Sequence, residues 1–348
     1  MTDGSNLQKP KNSAKSWITL PRLCVGRLQG NTLSTSIGNG ILYQGAHVPL
    51  TVDQIHYLTK VTRIRPVSLQ NIASQDPNVR VFDGVNGEWT ARLISADPEV
   101  DGNEKISRKR QSQANSNLVV ECIEQIRDQE QCITVAGSGE PLIIFGAIKK
   151  ERVKLLLEKC TELGAAAFIP VSTARSEASN VARLSSPGSI EKMHLQVLEA
   201  SEQCERLTVP RVVLNSFCSS EENAESTGNC ARLKELLDNW GDLDGEKSVE
   251  KNKRLLLVCR ERGSGEHTRP ILEVLNSLAH STNGSRIAFL IGPEGGWSPY
   301  EESLFDNQEV YPFIKGVSLG GLVLRAETAA IMAAGAWNLV FSQCNAES

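Results

Sequence analysis

The chain has 348 residues, of which 40% are hydrophobic and 22% are charged, and its formal net charge at pH 7 is −4. A single core stops growing at about 250 to 300 residues, so this length predicts two domains, and the composition is ordinary for a globular protein. No run of about 18 apolar residues occurs, which excludes a membrane-spanning helix. The nine scattered cysteines include no spacing typical of a zinc site, which predicts reduced thiols, an intracellular location and no metal.

The charge is unevenly distributed along the chain. Residues 1–95 contain ten Lys and Arg against five Asp and Glu, a net charge of +5, so the remainder carries −9. This asymmetry is typical of a phosphate-contacting module attached to an acidic domain. A basic face that only keeps the protein soluble is the alternative.

The amino-terminal residues 1–18 are polar and without periodicity, which predicts a disordered tail. They lack the apolar core of a secretory signal. We therefore expect a cytoplasmic protein, or an organellar one (chloroplast or mitochondrion) if the tail is a transit segment.

Residues 19–96 are predicted to form a small β-barrel. Thr51 caps a short helix that places Ile55, Leu58 and Val61 on one face. Two runs with strand alternation flank an Asp-Gly dipeptide at position 83, which indicates a β-hairpin.

The rest of the chain alternates strands and helices. Residues 97–137 are interpreted as a linker or insertion, because the run from 97 to 117 is polar and lacks an apolar period. Residues 138–345 predict an α/β sheet with helices on both faces. A second polar insertion at 219–253 interrupts this domain, and within it a short amphipathic helix is predicted from Leu233, Leu236, Leu237 and Trp240.

Two glycine-rich stretches near the carboxyl end carry the strongest functional signal. Residues 289–298 read FLIGPEGGWS and residues 319–328 read LGGLVLRAET. Each is an apolar strand that runs into a glycine-rich turn and then a helix, the arrangement with which open α/β sheets build a ligand crevice. In the first stretch Ser298 is a good N-cap, Pro299 suits the first helical position and Glu301 completes a capping box.

This pair of motifs, in this order and at this end of the chain, resembles the signature of the RsmE family. The likeness extends to KCTELGAAAFIPVSTARSEA (159–178) and LEASEQCERLTVPRV (198–212). Members of that family methylate N3 of a uridine in small-subunit ribosomal RNA with S-adenosylmethionine. The resemblance implies a SPOUT-type α/β fold with a deep trefoil knot, a preceding PUA-like β-barrel and a homodimer. It also implies free small-subunit rRNA or the assembled subunit as partner.

The resemblance and the chemistry together predict the site residues. Arg325 is expected to stabilise the uridine anion, and Glu327 to accept its proton or to orient Arg325; a purely structural Arg/Glu pair is the alternative. Glu294 contributes to the ligand site or only bonds turn amides. The predicted cofactor-binding residues are Leu290, Gly292, Pro293, Glu294, Gly295, Gly296, Leu319, Gly320, Leu324, Arg325 and Thr328. The predicted RNA-binding residues are Arg22, Arg27, Arg63, Arg65, Arg80 and Arg175.

One position departs from the family pattern. Leu322 stands where the family commonly has a basic residue before V-L-R, which puts the exact RNA substrate in doubt. Two other functions therefore stay open. One is a related knotted methyltransferase that acts on another atom, such as a ribose 2′-hydroxyl; the other is a non-catalytic RNA-binding protein of ribosome assembly.

Overall fold

The computed structural model describes residues 16–25, 27–29, 32–34, 42–68, 76–95, 118–129, 139–213, 231–240, 254–261, 268–280 and 286–344. The chain divides into two compact units. The first comprises Met1–Gly26 and Thr35–Gln129, and the second comprises Arg27–Ser34 and Glu130–Ser348. The tail expected at 1–18 lies outside the described residues except for its end, which begins a 3₁₀ turn at Ser16–Thr19.

The strands, in chain order, are β1 (Arg22–Cys24), β2 (Arg27–Gln29), β3 (Thr32–Ser34), β4 (His47–Pro49), β5 (Val67–Ser68), β6 (Val79–Phe82), β7 (Glu88–Ser95), β8 (Leu118–Arg127), β9 (Leu142–Gly146), β10 (Ala167–Ser172), β11 (Arg211–Val212), β12 (Ala231–Arg232), β13 (Arg254–Cys259), β14 (Arg269–Pro270), β15 (Arg286–Ile291) and β16 (Ile314–Ser318). The helices are α1 (Val52–His56), α2 (Lys150–Glu162), α3 (Ala178–Leu184), α4 (Pro187–Gln203), α5 (Leu233–Asp238), α6 (Ile271–Ala279), α7 (Pro299–Asp306) and α8 (Ala326–Cys344).

The first unit is built on a mixed sheet with the strand order β1-β6-β7-β8-β4, and β5 pairs with β7. Strands β6 and β7 are antiparallel neighbours, which confirms the predicted hairpin. The Asp83 carboxylate closes its turn by accepting hydrogen bonds from the backbone N–H groups of Val85 (3.0 Å) and Asn86 (2.7 Å). The hairpin is therefore specified locally, by a side chain that replaces a backbone acceptor.

Thr51 is the N-cap of helix α1, as predicted. The Thr51 hydroxyl accepts a hydrogen bond from the Gln54 N–H, and the Gln54 side chain accepts one from the Thr51 N–H. Ile55 and Leu58 are buried, whereas Val61, which was predicted to share their face, is exposed. The helix continues as a π turn over Tyr57–Val61, and this wider turn carries Val61 off the shared face.

Strand β8 lies inside the stretch 97–137 for which the sequence predicted a linker. It pairs antiparallel with β7 and with β4, so this part of the stretch belongs to the sheet of the first unit. Leu118, Val120 and Cys122 are its buried residues. Beyond these residues the strand contains more charged and polar residues and loses its apolar–polar alternation. The sequence pattern therefore did not predict a strand. The insertion predicted at 97–117 lies outside the described residues.

The second unit contains a sheet with the order β11-β10-β9-β15-β13-β16-β14, and β12 pairs with β10. The strand pairs described in this sheet are all parallel. All five residues of β9 are buried, as expected for a central strand with both faces covered. Strands β2 and β3 form a separate antiparallel hairpin.

Helices cover both faces of the parallel sheet, as predicted. On one face, residues of α2, α4, α6 and α8 surround Phe145 and Phe289. On the other face, residues of α5 and α7 surround Leu256 and Leu290. The helix predicted within 219–253 is confirmed as α5, but it ends at Asp238, and Trp240 follows it and stacks on Phe313. No helix in the described part of the chain is both long and apolar enough to cross a membrane.

Strands β9, β15, β13 and β16 are neighbours and run in the same direction. The segments that follow their carboxyl ends therefore meet at one edge of the sheet. These segments include the loops after β13, β15 and β16 and the first turn of α2. The two glycine-rich motifs lie at this edge.

Candidate active site

The loop after β15 contains the first motif and is shaped by close backbone approach. A Cβ at Gly292 would lie 3.2 Å from the Trp297 ring, and one at Gly295 would lie 3.0 Å from the Cβ of Arg175. Gly296 has a φ of +66°, which side chains rarely adopt. The glycines at these positions are therefore required by the loop's packing and backbone path.

The helix after this loop starts as predicted. The Ser298 hydroxyl accepts from the Glu301 N–H, and Pro299 occupies the first turn of α7. The Glu301 carboxylate accepts from the Ser298 N–H (2.8 Å) with one oxygen and from the Ala174 N–H (2.8 Å) with the other. Glu301 therefore ties this loop to the segment after β10.

The loop after β16 contains the second motif. Gly320 has a φ of +128°, and its N–H donates to the Ser318 hydroxyl. Leu322 and Val323 follow with largely exposed side chains. Arg325 is exposed as well, and within the described part of the chain its side chain has no hydrogen-bond or ion-pair partner.

Both loops line one cavity of about 490 Å³ in the second unit. The predicted residues that the structure brings together around it are Arg175, Gly292, Pro293, Glu294, Gly295, Gly296, Leu319, Gly320, Leu324 and Arg325. Arg175 reaches it from the segment after β10 and donates to the Gly295 carbonyl oxygen at 3.0 Å.

Three predicted residues do not border the cavity. Leu290 is fully buried in the core beneath α5 and α7, and its neighbour Ile291 lines the cavity instead. Thr328 is exposed on α8 and does not line the cavity. Glu327 lies behind the cavity wall, and only 6% of its surface is exposed.

Arg152 is a site residue that sequence reasoning missed. Its Nη1 donates to both carboxylate oxygens of Glu327 at 3.1 Å, and its Nε lies 3.5 Å from Glu294 Oε1. Arg152 lines the cavity, so it joins the acids of the two motifs at this wall. The one cue in the sequence was its position in the first turn of α2, where the helix dipole disfavours a cation unless acids accompany it.

The cavity lining contains a second arginine that the sequence did not single out. Arg260 follows β13 and is paired with Asp306 and Glu302 of α7. Burial lowers its pKa, but the hydrogen bonds and charges of Asp306 and Glu302 outweigh burial and raise the pKa above the usual value. Its neighbour Cys259 also lines the cavity, and burial raises the pKa of this thiol to about 12, so it stays protonated near neutral pH.

In the first unit, two of the arginines predicted to bind RNA are interior residues. Arg22 donates from Nε to Glu88 Oε1 at 2.7 Å, and Arg80 Nη1 lies 3.5 Å from the same oxygen. Both are buried, so they brace the sheet, and their predicted phosphate contacts are withdrawn. Arg63 and Arg65 are exposed. The side chain of Arg27 in β2 lies outside the described residues.

Residues 139–338, more than half of the chain, match the family described as RNA methyltransferase domain. The chain is 26% identical over 307 residues to the ribosomal RNA small subunit methyltransferase E of Rickettsia conorii, across 88% of this chain and 95% of that protein. It is 27% identical over 294 residues to the Synechocystis protein of the same name, across 83% of this chain and 71% of that protein.

Solved structures share the fold. The ribosomal RNA small subunit methyltransferase E of Neisseria gonorrhoeae, bound to S-adenosyl methionine, superposes with a TM-score of 0.57 at 21% identity, across 92% of this chain and 98% of that one. A methyltransferase of Legionella pneumophila in complex with the same cofactor gives a TM-score of 0.52 at 20% identity, across 94% and 98%. The α/β class expected from the sequence is confirmed.

Proposed function

The chain belongs to the RNA methyltransferase family, within it to the RsmE family that its motifs resemble, and from this premise we propose that it methylates N3 of a uridine in small-subunit ribosomal RNA. S-adenosylmethionine is the proposed methyl donor. The names of the curated relatives support ribosomal RNA of the small subunit as the substrate. The paired motifs IGPEGG and LGGLVLRAET support uridine N3 as the acceptor atom.

The cavity between the two glycine-rich loops is the observation that carries this proposal. Its volume of about 490 Å³ falls in the range of about 300 to 1,000 Å³ that is typical of small-molecule sites. Ile291, Leu319 and Leu324 provide apolar wall for an adenine, and the glycines leave backbone groups open to a ribose. Glu294 offers a carboxylate to the cationic part of the cofactor. These residue types fit S-adenosylmethionine.

The residues around the cavity account for the chemistry. When bound, S-adenosylmethionine supplies an electrophilic methyl group. Uridine N3 is a weak acid that becomes nucleophilic only after its proton has passed to water, and the negative charge then spreads onto the uracil oxygens. A guanidinium placed where this charge develops stabilises it. We assign that role to Arg325, which is exposed at the cavity and has no side-chain partner within the described residues.

RNA contacts are proposed for exposed arginines of both units. Arg63 and Arg65 in the first unit are exposed, and Arg175 lies at the cavity itself. Arginines of this kind bind phosphate oxygens and position an RNA without selecting its sequence. Arg27 remains a proposed contact from its position in the sequence.

Further proposals follow from the family. We propose that the carboxyl-terminal segment forms the SPOUT trefoil knot, that the sheet of the first unit belongs to a PUA-like barrel, and that the protein is a homodimer. The proposed substrate requires a compartment with ribosomes, which is the cytoplasm or an organelle.

The test is nucleoside mass spectrometry of small-subunit rRNA after incubation of unmodified subunits with purified protein and labelled S-adenosylmethionine. Labelled 3-methyluridine is the expected product, and free rRNA run in parallel identifies the form of substrate. Label in another nucleoside, such as a 2′-O-methylated one, would contradict the N3 assignment. Cofactor binding without transfer to any RNA of the subunit would favour an RNA-binding protein of ribosome assembly.

A further inference from the structure

The cavity wall that separates Glu327 from the ligand space is the side chain of Arg152. Arg152 borders the cavity, whereas Glu327 does not. The exposed fractions agree with this order, since 25% of the Arg152 side chain is exposed against 8% of the Glu327 side chain. A substrate in the cavity therefore meets the guanidinium before it meets the carboxylate.

The two carboxylates engage two of the three guanidinium nitrogens. Nη1 donates to both oxygens of Glu327, and Nε is paired with Glu294. The remaining nitrogen, Nη2, has no hydrogen-bond partner within the described residues. A planar guanidinium that is held at two of its nitrogens presents the N–H groups of the third in a defined direction. Arg152 therefore has the geometry of a preorganised donor for an anionic acceptor.

We infer that Arg152 is a catalytic residue that donates from Nη2 to a uracil oxygen of the reacting uridine anion, and that Glu327 is a positioning residue that acts through Arg152. This inference rests on the proposed function. Glu327 then holds Arg152 in place and does not accept the proton. A carboxylate that is engaged by both its oxygens and screened from the cavity is poorly placed to take a proton from the base. Two cations on neighbouring segments of the cavity wall, Arg152 and Arg325, then stabilise the uridine anion.

The test compares Arg152→Gln with wild type in single-turnover methyl transfer at saturating S-adenosylmethionine, on two substrates. One substrate is the unmodified small subunit, and the other carries 5-fluorouridine, whose N3 proton is more acidic and whose anion needs less stabilisation. Loss of a donor to a developing oxyanion lowers the rate by about 10² to 10³-fold. We expect this deficit on uridine and a deficit about tenfold smaller on 5-fluorouridine, because the protein's share of anion stabilisation falls as the base becomes more acidic.

Two further variants isolate the role of Glu327 and control for folding. Glu327→Gln is expected to show a smaller deficit with the same dependence on the substrate, since it only loosens Arg152. Arg152→Lys keeps a cation but not the planar fork, so its rate should fall between those of wild type and Arg152→Gln. Arg269→Gln, a change at an exposed arginine outside the cavity, should match wild type.

Equal deficits of Arg152→Gln on the two substrates would overturn the inference, because a structural defect does not depend on the acidity of the base. A deficit that disappears as the S-adenosylmethionine concentration is raised would also overturn it and make Arg152 a cofactor-binding residue. Glu327→Gln that abolishes transfer while Arg152→Gln retains it would identify Glu327 as the base. Wild-type protein that transfers no methyl group would refute the proposed function, and the inference with it.

Discussion

Arg175 and the backbone of Gly295 are in contact in two ways. Arg175 Nη1 donates to the Gly295 carbonyl oxygen at 3.0 Å, and the Cα of Gly295 faces the Arg175 Cβ so closely that an added methyl group would lie 3.0 Å from it. This pair joins the segment after β10 to the loop after β15. The shape of the proposed cofactor site therefore depends on a residue that lies 120 positions away in the chain.

Gly295→Ala should distort the loop and weaken cofactor binding. The new methyl group would also lie 3.2 Å from the Arg175 carbonyl oxygen, and backbone cannot move aside cheaply. Overpacking of this kind costs about 1 to 3 kcal/mol, so we expect a roughly tenfold or larger rise in the Kd for S-adenosylmethionine, measured by calorimetry. Gly188→Ala is the matched control, since nothing lies near its added Cβ, and unchanged affinity in both variants would contradict the prediction.

Arg325→Ala should lower the rate of methyl transfer at saturating cofactor. Removal of one donor to a developing anion costs about 10² to 10³-fold in rate. Stopped-assay counting of labelled methyl groups on small-subunit rRNA measures it, with Arg269→Ala as the surface-arginine control. Wild-type activity in Arg325→Ala would show that this side chain does not contact the reacting base.

Glu301→Ala should destabilise the second unit. The substitution removes the acceptors of the Ala174 and Ser298 N–H groups, and Glu301 is almost completely buried. Buried donors left without acceptors cost about 1 to 3 kcal/mol. Urea denaturation followed by tryptophan fluorescence measures the loss, and Ser303→Ala, at an exposed helix position, should stay within about 0.5 kcal/mol of wild type.

His194 should make the stability of the second unit sensitive to mild acid. Burial lowers the pKa of this histidine below its usual value of 6.5, so the unfolded chain binds the proton more readily than the folded protein does. The free energy of unfolding is then unaffected above pH 6.5 and decreases as the pH falls from 6.5 towards the lower folded-state pKa.

His194→Gln should remove this part of the acid dependence, while His280→Gln, at an exposed histidine, should retain it. Urea midpoints between pH 7.5 and about pH 5 measure the difference across the window set by the unfolded-state pKa. Parallel pH profiles for wild type and His194→Gln would rule the prediction out.

The double substitution Arg63→Ala and Arg65→Ala should weaken RNA binding and make the binding constant less dependent on salt concentration. Removing one arginine that binds a phosphate reduces the slope of log K against log salt by about one. We therefore expect a slope smaller by about two, without a change in preference among RNA sequences, measured by fluorescence anisotropy at several salt concentrations. A slope equal to that of wild type would place the RNA elsewhere.

Features set by neighbouring residues were predictable from the sequence. The cap and capping box at Ser298, the Thr51 cap and the Asp83 turn all depend on side chains that bond to backbone within three positions. The glycine-rich motifs were likewise visible, because each follows an apolar strand. These local signals were sufficient for the α/β class, and together with the family resemblance they identified ten of the 21 residues that line the cavity.

The sequence did not show which face of a buried or irregular element each residue occupies. Both Leu290 and Ile291 lie in a strand buried on both faces, so no alternation showed that Ile291 is the one that lines the cavity. The burial of Arg22 and Arg80 was hidden because their shared acid, Glu88, is not a sequence neighbour of Arg22.

By itself, the sequence determined the helix caps, the hairpin turn and the two glycine-rich loops that follow apolar strands. Only the tertiary structure decided which charged side chains face the cavity and which support them. Arg152 and Glu327 are 175 residues apart, and they meet because the first turns of α2 and α8 lie together at one edge of the parallel sheet. A contact between such distant residues depends on chain packing, which no short-range pattern of residues records.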